Sequence, residues 1–134
     1  MNQEFDFEYQ FEPIVNVRVL LPDLRSHVLV DAQIDTGAAW SVLDPILAKT
    51  FGLLDQEGES ALLHTRFGLI EGNLVRLPIT FLPDQGDPLD TYGTFFISPD
   101  WPPGRTFLGY SGLLDSIRFA LDPQANHFYF GPGI

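Results

Sequence analysis

From Val15 to Leu21 every second residue is apolar (Val15, Val17, Val19, Leu21), and the same alternation returns from Val28 to Ile34 (Val28, Val30, Ala32, Ile34). A period of two places one side of the chain against a core and the other in water, which is the signature of a half-buried strand. The intervening "PDLRSH" has turn composition, so the pair is expected to form a β-hairpin. A third alternating run, "LVRLPITFL" at 74–82, turns Val75, Leu77, Ile79 and Phe81 inward. Pro78 cannot donate to a ladder, so this strand should lie at an edge or bend there. Further strands are expected at 92–97, 117–121 and 127–130, the last two flanking the loop "DPQAN". Helix signals are few. "DPILAKTFG" offers Asp44 as N-cap, Pro45 at the first helical position and Gly52 as a stop, with Leu43, Leu47 and Phe51 on one face. "GLLDSI", 112–117, is a single-turn candidate. The expected fold is therefore all-β: a small closed or orthogonal β-structure with one or two short helices.

With 134 residues, 45% of them apolar, the chain has the size and core content of one globular domain spanning 1–134. A formal net charge of −11 argues against nucleic acid or an anionic membrane as partner, since both need a basic surface. Cysteine is absent, which excludes disulfides, zinc-thiolate sites and thiol catalysis. The opening "MNQEFDFEYQFEP" is acidic and lacks the apolar core of a secretory signal, and no apolar run reaches the length of a membrane span. A cytoplasmic protein is the expectation.

Two stretches carry chemistry. The second strand runs into Asp35-Thr36-Gly37, within "QIDTGAAW". Asp and Gly are turn formers, so this is either a strand-end turn or a carboxylate held at a strand end for acid–base work. Some seventy residues later "TFLGYSGLLDSIRFALD", 106–122, brings two apolar residues to Gly109, followed by a short helix and a strand. A glycine there lets another backbone come close, because it has no Cβ.

Together, "IDTGAAWSVL" and "FLGYSGLLDSIRFALD" resemble the retropepsin-like aspartic peptidases, in particular their stand-alone bacterial branch. "PDWPPGRTFLG" is similar to the acidic-Trp loop that leads into the second motif there. The resemblance spans about residues 14–131. It implies a small closed acid-protease barrel in which Asp35 is the catalytic carboxylate, Thr36 braces the loop and Gly37 brings its backbone near substrate. It also implies substrate contacts at Ala38, Trp40 and Phe107. A hairpin flap is expected at "TRFGLIEGNLV", 65–75, with Gly68 and Gly72 bracketing an apolar tip, Leu69-Ile70.

Carboxylate-catalysed peptide hydrolysis needs one group to take a proton and another to give one. This chain has one Asp-Thr-Gly; "DTYG", 90–93, carries Tyr92 where the loop needs glycine. The resemblance therefore implies a homodimer, with Asp35 from each copy meeting on a two-fold axis and a peptide or protein as substrate. Retroviral members carry an Asp two residues after the loop glycine and an Arg just after the second-motif glycine. Here those positions hold Ala39 and Tyr110, lost together. That change leaves open an alternative, a dimerisation or peptide-binding module without turnover. The aromatic segments "FDFEYQF" and "HFYFGPGI" either pack within one chain or meet a partner.

Other candidates are weaker. Asp84, Asp87 and Asp90 lack calcium-loop spacing. His27, His64 and His127 are scattered without metal spacing, and Trp101 has the character of a core or interface aromatic. No metal and no organic cofactor is expected.

Overall fold

The computed structural model describes residues 15–22, 27–65 and 68–133. Their strands are β1 (Asn16–Pro22), β2 (His27–Ile34), β3 (Ser41–Val42), β4 (Glu59–Thr65), β5 (Gly68–Leu82), β6 (Leu89–Ile97), β7 (Thr106–Leu108), β8 (Ile117–Asp122) and β9 (His127–Pro132). One short helix, α1 (Pro45–Thr50), and a 3₁₀ turn at Leu114–Ser116 complete the described elements.

The alternating runs pair as their periodicity demands. β1 and β2 form an antiparallel hairpin in which Val19 opposes Val30 and Leu21 opposes Val28. Adjacent pairings then run β2–β7, β7–β3, β3–β6 and β6–β5, and β5 returns to β1 through Val19↔Phe81. The ring of six strands closes, giving the all-β barrel expected from the sequence, with β4 added outside it on β5. Closure gives these strands neighbours on both sides and leaves few free edges. The β2–β7 and β3–β6 pairings are parallel, so they join segments far apart in the chain.

Inside the ring, Val19, Leu21, Ala32, Leu43, Leu77, Ile79, Phe81, Phe95 and Leu108 form one apolar core with Leu113 and Leu114. α1 sits where its signals placed it. Asp44 accepts the Ile46 N–H at 3.0 Å through Oδ1, Pro45 opens the helix, and Leu43 and Phe51 are buried. The expected helical turn at 112–117 is the 3₁₀ turn. β8 and β9 pair as a separate two-stranded sheet lying against the barrel. Its aromatic rows pack within the chain: Phe81 lies 5.8 Å from Phe128 and 5.3 Å from Phe130, ring centre to ring centre. The segment "FDFEYQF" lies outside the described residues.

Besides β3, whose two residues are too few to show a period, two strands depart from expectation. β5 runs 15 residues, beginning at Gly68 rather than 74, because one chain serves both the barrel and an outer hairpin. β4 was not expected, since Leu62 beside Leu63 breaks the alternation. Pro78 falls in the stretch of β5 between its β4 partners, which end at Leu74, and its β1 partners, which begin at Thr80. A residue without an N–H is tolerated where one flank of a strand is unpaired. Among the described residues no helix is long and apolar enough to cross a membrane.

Phe81 joins the closing β1–β5 seam to the β8–β9 sheet, and its side chain is fully buried. Phe81→Ala is expected to cost about 3–5 kcal/mol of folding stability in urea denaturation, and Phe81→Leu, which keeps most of the volume, clearly less.

Candidate active site

β2 delivers Asp35 to the end of the barrel wall. The Asp35 N–H donates to the Leu108 carbonyl at 2.9 Å, which extends the β2–β7 pairing by one step. The chain then turns. Ala38 N–H donates to the Asp35 carbonyl at 3.1 Å, and Gly37 N–H donates to Asp35 Oδ1 at 3.2 Å. The aspartate thus does what turn aspartates do, accepting an amide two residues on. Its side chain is half-buried while Thr36 and Gly37 are exposed, so the turn reaches solvent with its carboxylate anchored at one oxygen. The turn and the functional reading are compatible: the turn is the holder.

The second motif is built against this turn. Tyr110 N–H donates to the Ala38 carbonyl at 3.0 Å and Ser111 N–H to the Ala39 carbonyl at 2.8 Å. Trp40 and Ser111 bridge in parallel. A Cβ on Gly109 would lie 2.5 Å from both the carbonyl carbon and the oxygen of Trp40 and 2.9 Å from the Ala38 carbonyl oxygen. Only glycine allows two backbones this close. Two buried hydroxyls finish the seam. Ser41 Oγ accepts the Gly109 N–H at 2.9 Å, and Thr106 Oγ1 accepts the Asp44 N–H at 3.2 Å. β3 and β7 share a single backbone pairing, Val42↔Phe107, and these side chains supply bonds on either side of it. Neither Ser41 nor Thr106 was singled out from the sequence. The signal was there: each is a hydroxyl residue at an inward position beside an apolar pair.

A second apolar cluster lies on the outer face of the same wall. Val42, Ile70 and Phe96 form its buried part, and Trp40, Ala61, Leu63, Leu74, Trp101 and Phe107 pack around them. Residues on these strands alternate between the two sides: Leu108 faces the barrel core and Phe107 the outer cluster, and likewise Phe95 and Phe96. The structure thus brings Trp40, Ile70 and Phe107 together, with Trp40 directly following the Asp35 turn. Ala38 is half-buried, its carbonyl held by the Tyr110 N–H.

The hairpin expected at 65–75, with Leu69-Ile70 at its tip, is displaced: the structure forms β4–β5, and of the expected range only Thr65 lies on the first arm. Its register, Thr65↔Gly68, places the connecting residues at 66–67, which lie outside the described residues. Leu69 and Ile70 therefore sit on the second arm of the hairpin. They face opposite ways: Leu69 is 58% exposed, and Ile70 is 7% exposed against the outer cluster. Tyr110 is 49% exposed and Ala39 is exposed beside the turn. Asp84 forms an ion pair with Arg18 at 2.7 Å on the surface. Among the described residues no group of three or more His, Asp or Glu side chains is placed to hold a metal ion.

No family model and no curated protein matches the chain. Among solved structures it is similar to one described as "EIAV protease complexed with the inhibitor HBY-793", with 24% sequence identity, a TM-score of 0.44, and coverage of 80% of this chain and 91% of that one. The fold assignment rests on the strand pairing itself: a closed six-strand ring with the Asp35 turn at the end of β2 and Gly109 beneath it.

Gly109→Ala forces a Cβ into the Trp40 backbone, which cannot swing aside. It is expected to cost about 1–3 kcal/mol in urea denaturation and to shift the Trp40 emission in a Trp101→Phe background. Ser41→Ala strands the buried Gly109 N–H and should cost a similar amount, about 1–3 kcal/mol.

Proposed function

We propose that this chain is an aspartic endopeptidase that works as a homodimer on extended peptide segments. The observation that supports it best is the Asp35 turn. A carboxylate at a strand end is fixed through one oxygen by its own turn, and that turn is held from below by Tyr110, Ser111 and Gly109. A turn needed only to reverse the chain would not call for a second segment pressed against its backbone.

In the proposed dimer the two Asp35 carboxylates meet across a two-fold axis with a water between them. Two carboxylates at about 3 Å cannot both ionise, so they share one proton. The ionised member takes a proton from the water as it attacks the scissile carbonyl carbon, and the protonated member donates to the carbonyl oxygen. The tetrahedral intermediate then collapses with proton transfer to the leaving nitrogen. Thr36 would brace the paired loops, and Gly37 would leave its backbone open to the peptide. Trp40 and Phe107 would meet substrate side chains, with Ala38 alongside and Gly68 and the exposed Leu69 contributed by the hairpin, while the buried Ile70 would back the two aromatic residues from within the outer cluster. A cytoplasmic location belongs to the same proposal.

A second reading is favoured by one observation. The positions beside the turn that carry an Asp/Arg pair in retroviral members are Ala39 and Tyr110, and both are exposed. A dimer that binds peptide without cleaving it would fit this altered surface. Peptide binding with no hydrolysis over a broad pH range would establish it.

Wild-type protein is expected to cleave unstructured peptides at mildly acidic pH. Asp35→Asn should lower kcat/KM by about a thousandfold or more while leaving the fold and the dimer intact. Cleavage surviving that substitution overturns the proposal. Because each copy carries a formal charge of −11 and, among the described residues, the turn region offers no ion pair, added salt should tighten the dimer by screening repulsion. Sedimentation at low and high NaCl concentrations measures this.

A further inference from the structure

The pairing of β5 with β6 ends at Asn73↔Ile97. Beyond that point the arms of the β4–β5 hairpin have each other and the outer apolar cluster, with no further backbone ladder to the barrel. One side chain crosses this gap. Ser98, fully buried, donates its hydroxyl to the Glu71 carbonyl at 2.7 Å. Ser98 Oγ in turn accepts the Asp100 N–H at 3.2 Å, and the Ser98 carbonyl accepts the Trp101 N–H at 3.3 Å.

Gly72 presses the same point from the other side. A Cβ there would lie 2.6 Å from the Ile97 carbonyl oxygen and 2.7 Å from the Phe96 ring. From sequence, Gly72 is one of the two glycines bracketing the tip of the expected flap. In the structure it is where the hairpin is clamped. Trp101 stands edge-on to Phe96 at 6.0 Å between ring centres, so the loop that carries Ser98 is itself seated on the outer cluster.

We infer that Ser98 is a positioning residue for the β4–β5 hairpin. Its hydroxyl carries the β5–β6 contact beyond the last backbone pair, at Glu71. The next residue outward is Ile70, which packs in the cluster containing Trp40 and Phe107. The Ser98 seat therefore sets how Ile70 and Leu63 rest against Trp40 and Phe107, the aromatic residues they share a cluster with beside the Asp35 turn. Its consequence for substrate rests on the peptidase reading; its consequence for the hairpin does not.

Amide hydrogen exchange and peptide-cleavage kinetics on the full chain test this in Ser98→Ala and, independently, Gly72→Ala. Losing the Ser98 hydroxyl removes a bond to Glu71 and strands the Asp100 N–H. Exchange is expected to accelerate about tenfold across 59–65 and 68–72, while β1 and β2 stay within about twofold of wild type. With a cleavable peptide, KM should rise about tenfold and kcat stay within about twofold, a split that general loss of stability would not produce. Unchanged exchange in the hairpin, or equal acceleration in hairpin and barrel, overturns the inference. If wild-type protein cleaves nothing, the peptidase reading falls and the exchange pattern alone decides the role of Ser98.

Discussion

At Gly109 the chain crosses beneath its own Asp35 turn with no side chain between the two backbones. Most of what positions the candidate site is arranged around that contact. Ser41 can reach the Gly109 N–H because the segments are so close, and the amides of Tyr110 and Ser111 come within reach of the Ala38 and Ala39 carbonyls for the same reason. The contact also sets the height of β7 relative to β2, so that the Leu108 carbonyl meets the Asp35 N–H. A methyl group inserted there would have to move a backbone segment, and the carboxylate would move with it.

Much of this was readable from the residues, for identifiable reasons. The β1–β2 hairpin, the barrel half of β5, and β8–β9 carry apolar residues at period two, and burial enforces that pattern strongly. The α1 boundaries were legible because Asp44 and Pro45 act locally, through one cap bond and one fixed dihedral. Asp35 and Gly109 could be singled out as partners because the two stretches around them together resemble a known family. What stayed hidden depends on tertiary contact. β3 is two residues long, too short to show a period. β4 mixes an exposed Leu62 with a packed Leu63. The fixed character of Gly72 comes from Ile97 and Phe96, which no local pattern around residue 72 announces.

The two faces of the wall have different tasks. The inner face gives the barrel its stability through large, fully buried side chains such as Phe81 and Phe95. The outer face gathers Trp40, Phe107 and the hairpin's Ile70 beside the Asp35 turn, with fewer buried residues. A strand can serve both because its side chains alternate: Phe95 and Phe96, or Phe107 and Leu108, divide the work between neighbouring positions.

The parallel β2–β7 pairing joins residues 32–34 to 106–108, across most of the described barrel sequence. Pairings of such long range form late, since the loop they close must be ordered before the contact returns any energy. During synthesis Asp35 emerges long before Gly109, and until the second segment arrives its turn has neither the Leu108 carbonyl above nor the glycine below. A shortened or half-made chain would display the Asp-Thr-Gly sequence without the support that holds it. Read as a peptidase, the molecule carries a safeguard in its topology: the Asp35 turn gains its support only after the segment some seventy residues downstream has been made and has paired with it.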